Sequence, residues 1–356
     1  MKKFLDNVTK VLFILYNYTI VARLFHYRVV NDAFGDPCVF VRLLRERRAL
    51  LFDVGDIRKI PFNEILKVSD IFVTHTHIDH FIGFDQVIRA VLRRAEPLRV
   101  YGPDNIIDCV YGKLRGYTWN LVSDYPLSIE VFAITKKKIK RARFCAKNKF
   151  KIEKLPTLPR QQWIIEDPLF KVKAEVLSHG IPVIAYSIEE DFHINIKKVE
   201  LEKKGFVVGP WLGQLKKLIK LYYDYDPQKM LKPKQFSVKI NTSKGEFLVE
   251  ELFDILNISK GEKISYVMDV APVEENIKKI IDFVKGSDVL FCEAYFLSKD
   301  MERAIERNHL TAALAGKIAK EAEVKELIIL HISPKYINNP EEVYREVELS
   351  RFQGLR

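Results

Sequence analysis

The chain has 356 residues, of which 48% are hydrophobic and 29% charged. This is the profile of a globular protein with enough material for one large core or two ordinary ones, and it excludes a disordered chain. Lys and Arg outnumber Asp and Glu by 58 to 47, a net charge of +11, and such an excess favours a polyanionic partner, either nucleic acid or an anionic membrane surface.

The apolar run at residues 11–16 follows Lys2 and Lys3, but Asp6, Asn7 and Lys10 interrupt the approach and no small-x-small cleavage site follows. It is too short to span a membrane and reads as an ordinary N-terminal element; no membrane segment is expected elsewhere. Strand-like runs at 38–44, 50–54, 71–74 and 98–101 alternate with helical patterns at 84–95 and 104–114. Further strands are predicted at 129–134, 170–177, 183–188, 247–249, 264–268, 289–292 and 327–330, and helices at 273–284, 297–306 and 310–322. Hairpins early and helices late suggest an α/β protein with two sheets and helices outside.

Two stretches read as insertions. Residues 136–154 carry ten Lys or Arg against the single acidic Glu153, and residues 191–234 hold Gly209-Pro210-Trp211-Leu212-Gly213. Neither composition forces a separate domain, so residues 1–356 read as one domain with an inserted arm at 191–234. The four cysteines, Cys38, Cys109, Cys145 and Cys292, form no C-x-x-C pair. A thiolate zinc site or a disulfide framework is therefore not expected, and a reducing cytoplasm is the default compartment.

The densest chemical signal is His75-Thr76-His77-Ile78-Asp79-His80, which holds three of the eight histidines. At these residue frequencies H-x-H-x-D-H arises by chance on the order of 10⁻⁴ of the time. A buried-strand pattern precedes it, and Gly83 with the run from Phe84 reads as a loop entering a helix. The cluster therefore leaves the carboxyl end of a strand, where α/β proteins place their sites. His75 and His77 point the same way in an extended segment. Asp79 and His80 follow once the chain turns, and can address a second ion about 3.5–4 Å away. Imidazole and carboxylate without thiolate suit Zn²⁺, with Mn²⁺ or Fe as the other fits. One loop supplies too few ligands for two metals. Of the other histidines (His26, His179, His193, His309 and His331), His179 and His331 end predicted strands, as does Asp269, whose carboxylate can bridge two cations. Asp53 can orient a ligand imidazole from behind, or equally cap the turn at Gly55.

Together these residues resemble the metallo-β-lactamase superfamily and, within it, the ribonuclease Z family of tRNA 3′-processing endonucleases. Leu51-Phe52-Asp53-Val54-Gly55 is similar to the upstream strand and turn of the superfamily. Ala185-Tyr186 stands where Gly-Tyr is common, Met268-Asp269-Val270 where the pattern is Gly-Asp-Thr, and His331-Ile332-Ser333-Pro334-Lys335-Tyr336 near His-Phe-Ser-x-Arg-Tyr. Glu293-Ala294-Tyr295 resembles Glu-Ala-Thr, and His309-Leu310-Thr311-Ala312 resembles His-x-Thr-Ala. The run from Gly209 to Lys216 resembles the Gly-Pro segment of the tRNA-gripping arm. Met268, Val270 and Tyr295 depart from the pattern, and the usual Gly-rich N-terminal signature is not evident.

The resemblance implies a metallo-β-lactamase-like αββα sandwich, two mixed sheets with helices outside. It also implies two divalent ions on His75, His77, Asp79, His80, His179, Asp269 and His331. On the same resemblance, the two cations would supply a water of lowered pKa, Asp79 would hold it and accept its proton, and His309 paired with Glu293 would protonate the leaving ribose oxygen. Gly209 and Pro210 with Lys216, Lys217 and Lys220 are then the expected RNA contacts, and Trp211 either stacks on a base or packs the arm. The basic run 136–154 is either a second phosphate surface or a solvated face. The implied partners are precursor tRNA, read by shape and backbone, and a second copy of the chain. The competing reading is another hydrolase of this fold acting on a small phosphodiester, thioester or lactone, which needs neither the arm nor the charge.

Overall fold

A computed structural model describes residues 23–226, 230–234 and 237–352; the N-terminal element expected at residues 11–16 lies outside them. Short runs rich in β-branched and aromatic residues pair, in sequence order, into an eight-stranded sheet. Its strands are β1 (Phe25–Val29), β2 (Val39–Leu43), β3 (Ala49–Phe52), β4 (Val68–Phe72), β5 (Leu98–Gly102), β6 (Ser128–Ile134), β7 (Lys138–Cys145) and β8 (Ile152–Pro159). β1–β3 and β6–β8 are antiparallel, and β3–β6 are parallel. Parallel strands are covered on both faces and read as continuous apolar runs; all four residues of β3 are buried. Leu51, Ile71, Val100 and Val131 face the helices Phe84–Val91 and Ile106–Arg115. In the first of these Phe84, Val87, Ile88 and Val91 are buried, the spacing of one helix face.

Residues 136–154, read above as an insertion, are instead β7, the turn after it and the start of β8, hydrogen-bonded into the sheet. Ile139, Ala142 and Phe144 are buried, while Lys138, Lys140, Arg141 and Arg143 stay at least partly exposed. A register shift between Ile139 and Arg141 breaks the alternation that identifies a strand.

The chain forms two compact units, one of Phe25–Asp191 with Glu262–Arg356 and one that takes in Phe192–Gly261. The larger continues with β9 (Ile165–Glu166), β10 (Lys171–Ser178) and β11 (Pro182–Glu189). The smaller opens with β12 (Phe192–Ile196) and carries the helices Lys198–Lys203 and Trp211–Tyr222. Two hairpins follow, β13 (Tyr223–Asp226) with β14 (Met230–Pro233) and β15 (Lys239–Thr242) with β16 (Gly245–Leu248). β17 (Leu256–Lys260) then pairs antiparallel with β12 and closes it. This unit has its own core, which includes Phe206, Trp211, Leu215, Ile219 and Leu252. Residues 192–234 of the predicted arm are therefore the first part of a unit that runs on to Gly261.

Back in the larger unit, β18 (Lys263–Val267), β19 (Val289–Glu293) and β20 (Glu326–Leu330) are parallel, and β11 joins them antiparallel in a six-stranded sheet ordered β20-β19-β18-β11-β10-β9. The helices Glu274–Val284, Ala312–Glu321 and Pro340–Phe352 cover its outer face through Ile280, Ala315, Ile318 and Val343. The helix expected at 297–306 is a 3₁₀ turn, Ser298–Asp300, followed by Met301–Arg307. The inner faces of the two sheets meet through aromatic rings: Phe52 on Tyr266 at 5.6 Å and Phe72 on Tyr186 at 5.3 Å, with Phe52 and Phe72 stacked on each other at 5.0 Å within the first sheet. Contacts of this kind add roughly 0.5–1.5 kcal/mol each beyond the area they bury. The result is the four-layered helix–sheet–sheet–helix sandwich expected above.

Candidate metal centre

The residues that follow β3, β4, β18 and β20, the last residue of β19, and the turn between β10 and β11 converge at one edge of the sandwich. Three of them, Asp53, Asp269 and His331, have left-handed backbones, with φ of 52°, 53° and 52°. Such a conformation costs a non-glycine residue of order 1 kcal/mol and is concentrated at functional sites. The loop after β4 is held from behind: Val54 N donates to His80 O (2.9 Å) and Gly83 N to Val54 O (2.8 Å). Tyr186 OH and Ile184 N donate to the carbonyls of Val73 and Thr74, both at 2.9 Å, tying this loop to the other sheet. Gly55 packs so closely on this loop that a Cβ there would collide with the carbonyl oxygen of Asp79.

His75, His77, His179 and Asp269 form one group whose ligand atoms lie within 4.8 Å of one another; Asp79, His80 and His331 form a second. Asp269 joins them. Its Oδ2 is 3.5 Å from His75 Nε2, 3.5 Å from His80 Nε2 and 3.6 Å from His179 Nε2, and its Oδ1 is 2.6 Å from His331 Nδ1. Asp79 Oδ2 is 3.3 Å from His331 Nε2 and 3.5 Å from His80 Nε2. Donors sharing one tetrahedral ion with bonds of about 2.0–2.1 Å stand about 3.3 Å apart, so these spacings suit ligands arrayed around cations. Asp269 Oδ1 and His331 Nδ1 face each other as a buried ion pair, and the buried His80 Nε2 makes no hydrogen bond. Buried polar atoms left this way are costly, and a cation is the partner that satisfies imidazole nitrogens and a carboxylate together.

The opposite ring nitrogens are engaged. His75 Nδ1 is 3.0 Å from Thr74 Oγ1, His179 Nδ1 is 2.8 Å from Asn308 O, and His80 Nδ1 is 2.8 Å from Asp53 Oδ2. This pattern selects the tautomers that present Nε2 lone pairs inward. Asp53 is the hub: it also accepts from Thr74 N (2.7 Å), from Thr74 Oγ1 and from Tyr266 OH (both 3.0 Å). Thr74, Tyr266 and Asn308 were not singled out from the sequence. A threonine or tyrosine in a buried strand carries no local sign that its hydroxyl faces a site, and Asn308 acts through its carbonyl. We expect Asp53→Ala to weaken metal binding about 10–100-fold and to lower Tm, since it strands several buried donors at once; chelator titration and thermal melts check this.

Electrostatics agree with a cationic occupant. Burial drives the His75 pKa down to about 2, leaving the neutral imidazole that metals bind. Burial also opposes charge on His331, but the adjoining Asp269 carboxylate outweighs it and raises the pKa to about 9. Burial would raise Asp79, yet His331 and His80 hold it at about 2. A buried set of carboxylates demands positive charge, and cations or imidazolium protons answer the same demand.

Glu293 and His309 adjoin this cluster. Glu293 and His309 also fall with Asp269 and His331 in a third group with metal-holding spacing, but Glu293 has both oxygens committed. Oε1 accepts from Val270 N (2.5 Å) and Oε2 from His309 Nδ1 (2.8 Å). The pair therefore reads as an oriented imidazole with its carboxylate. Burial disfavours the charged ring of His309, but Glu293 outweighs it and raises the pKa.

The expected RNA contacts lie in the other unit. On the helix Trp211–Tyr222, Trp211, Leu215 and Ile219 are buried; Lys217 is exposed, and Lys216 and Lys220 are partly so. Gly209 and Pro210 lead into the helix, with Pro210 exposed. Trp211 packs the arm: its indole N–H donates to Val207 O (2.9 Å) and its ring meets Phe206 at 5.4 Å.

The chain matches no protein-family model. It is 30% identical over 309 residues to the ribonuclease Z of Clostridium tetani, covering 83% of this chain and 82% of that protein. It is 24% identical over 294 residues to the ribonuclease Z of Deinococcus radiodurans, covering 81% and 83%. Among solved structures, the metallo-β-lactamase fold protein YhfI from Bacillus subtilis superposes with a TM-score of 0.51 at 14% identity, over 91% of this chain and 92% of that one. A long-form RNase Z from yeast gives 0.51 at 13% identity, over 90% of this chain and 39% of that one. The two structures establish the metallo-β-lactamase fold, and the sequence likeness to the clostridial protein, across more than four fifths of both chains, establishes that this chain belongs to the ribonuclease Z family.

Proposed function

We propose that the protein is a metal-dependent endoribonuclease that removes 3′ trailers from precursor tRNA. The observation that carries this reading is the convergence of His75, His77, His179 and Asp269 with Asp79, His80 and His331 around one shared carboxylate, beside the Glu293–His309 pair. Two divalent ions, Zn²⁺ by the all-imidazole and carboxylate donor set, would be held by His75, His77, His179 and Asp269 and by Asp79, His80 and His331. Bound there, they would supply a water of near-neutral pKa and neutralise charge on the phosphoryl oxygens.

The chain's own residues do the rest. Asp79, ionised and 36% exposed, faces both solvent and the ligand cluster, where it accepts the proton of the attacking water. Glu293 fixes His309 with Nδ1 toward the carboxylate, so Nε2 carries the proton for the leaving oxygen. A ribose alkoxide is a poor leaving group, and such a proton donor contributes on the order of 10²–10⁴-fold. The net charge of +11 suits an RNA substrate, and Lys216, Lys217 and Lys220 beside Gly209-Pro210 are assigned to phosphate contacts. By family resemblance the enzyme works as a homodimer, one subunit holding the tRNA body while the other cuts. The four cysteines are unpaired, in keeping with a cytoplasmic enzyme, and among the described residues no helix is long and apolar enough to cross a membrane.

The test is incubation with a 3′-extended precursor tRNA beside bis-p-nitrophenyl phosphate, with elemental analysis of the protein. We expect about two zinc-class ions per chain and sited cutting of the tRNA that leaves a 3′-hydroxyl. Activity on the small diester with an intact tRNA would instead select a small-ester hydrolase.

A further inference from the structure

Tyr295 stands where the family pattern has threonine, and the scheme above gives it no task. Its ring lies flat on the imidazole of His309, with centroids 4.0 Å apart and planes 12° from parallel. It meets His331 edge-on at 5.0 Å and Phe296 at 4.9 Å. The backbone holds it there. Ser333 N donates to Tyr295 O (3.1 Å), Phe296 N to Leu310 O (3.3 Å) and Ala312 N to Phe296 O (2.7 Å). The segment that carries the tyrosine is thus bound on one side to the segment of His331 and on the other to the segment of His309. The part of Tyr295 that His309 meets is therefore the ring face.

His309 needs such a face. Its Nδ1 bond to Glu293 Oε2 at 2.8 Å sets one point of the ring and leaves the plane free to pivot about that point. The neighbouring His179 ring meets it edge-on, at 4.8 Å and 62°, and bars tilting without fixing the plane. A parallel aromatic ring in contact does fix it, because every pivot lifts one edge of the imidazole out of contact. Threonine has no face to offer.

We infer that Tyr295 is a positioning residue for His309: its ring clamps the imidazole in the plane that aims Nε2–H at the departing ribose oxygen. In that step the P–O bond breaks, the Nε2 proton passes to the oxygen, and the neutral imidazole regains a proton from solvent. The inference rests on the reading of His309 as the acid, so its test separates the two.

The metal-loaded enzyme and its Tyr295→Ala, Tyr295→Phe and His309→Ala variants are compared on 3′-extended precursor tRNA and on bis-p-nitrophenyl phosphate. The tRNA leaves as an alkoxide that requires a proton; nitrophenolate leaves without one. Tyr295→Ala should lower kcat on the tRNA about tenfold, a fraction of the whole acid contribution, with KM and metal content little changed. Its loss on the nitrophenyl diester should be several-fold smaller, and Tyr295→Phe, which keeps the ring, should restore the tRNA rate. Equal loss on both substrates, a Phe variant as poor as Ala, or a drop in bound metal would overturn the clamp. If His309→Ala discriminates between the substrates and Tyr295→Ala does not, the inference alone fails. If His309→Ala loses the same factor on both, the acid role of His309 fails and the inference with it.

Discussion

Asp269→Ala is expected to abolish cleavage, with kcat/KM on precursor tRNA falling by about 10³-fold or more and bound metal dropping from two ions per chain to one or fewer. The reason is the position of one carboxylate. Asp269 Oδ2 is within 3.6 Å of Nε2 atoms from His75, His80 and His179, and Oδ1 is 2.6 Å from His331 Nδ1. It touches both ligand groups. Without it, the first group is three imidazoles with no carboxylate among them, and the second has only Asp79 to offset a dication. Asp269→Asn keeps the shape and one oxygen donor but not the charge, so it should be nearly as damaging. That outcome separates a charge requirement from a packing one. Elemental analysis of purified variants, read beside initial rates, checks both. A protein that lacks Asp269 yet keeps two ions and cuts normally would remove the shared-ligand geometry from the account.

How much of this could be read from the sequence depended on how local each feature is. The cluster from His75 to His80 is legible because its ligands lie in one loop, and the strand before it is a plain buried run. His179, Asp269 and His331 were legible as residues ending strand-like runs, but their convergence is a property of two sheets whose strands end at a common edge. The family resemblance supplied that link, and it alone brought in Glu293 and His309. What stayed hidden has specific causes. In β7 the inward residues Ile139, Ala142 and Phe144 are not evenly spaced, because of a register shift, and the lysines and arginines between them mask the rest. The helix Pro340–Phe352 buries only Val343 and Val347, too few positions for a periodic signal. The far boundary of the arm is set by β17, which pairs with β12 from the opposite end of the unit. No local composition marks it.

That boundary makes possible a sharper test of what the arm does than a deletion of residues 191–234, which would leave β17 without its partner. Glu190 N donates to Glu262 O at 2.9 Å, so the two ends of the catalytic unit already touch. Phe192–Gly261 can therefore be replaced by a short Gly-Ser linker, leaving both sheets intact. Every candidate ligand, with Asp53, Glu293 and His309, lies in the retained unit. The shortened enzyme should hold its metal and hydrolyse bis-p-nitrophenyl phosphate within about threefold of the full chain, because a small diester asks only for the centre itself. On precursor tRNA we expect kcat/KM to fall about 100-fold or more, carried by KM, since the phosphate contacts assigned to Lys216, Lys217 and Lys220 go with the arm. Salt dependence gives a second readout. Each lost phosphate contact removes about 0.9 from the slope of log affinity against log salt, so losing three should flatten it by about 2–3 while the diester rate stays flat in both proteins. An equal loss on both substrates would point to damage at the centre, and a tRNA rate unchanged by the excision would leave Phe192–Gly261 without a part in gripping RNA.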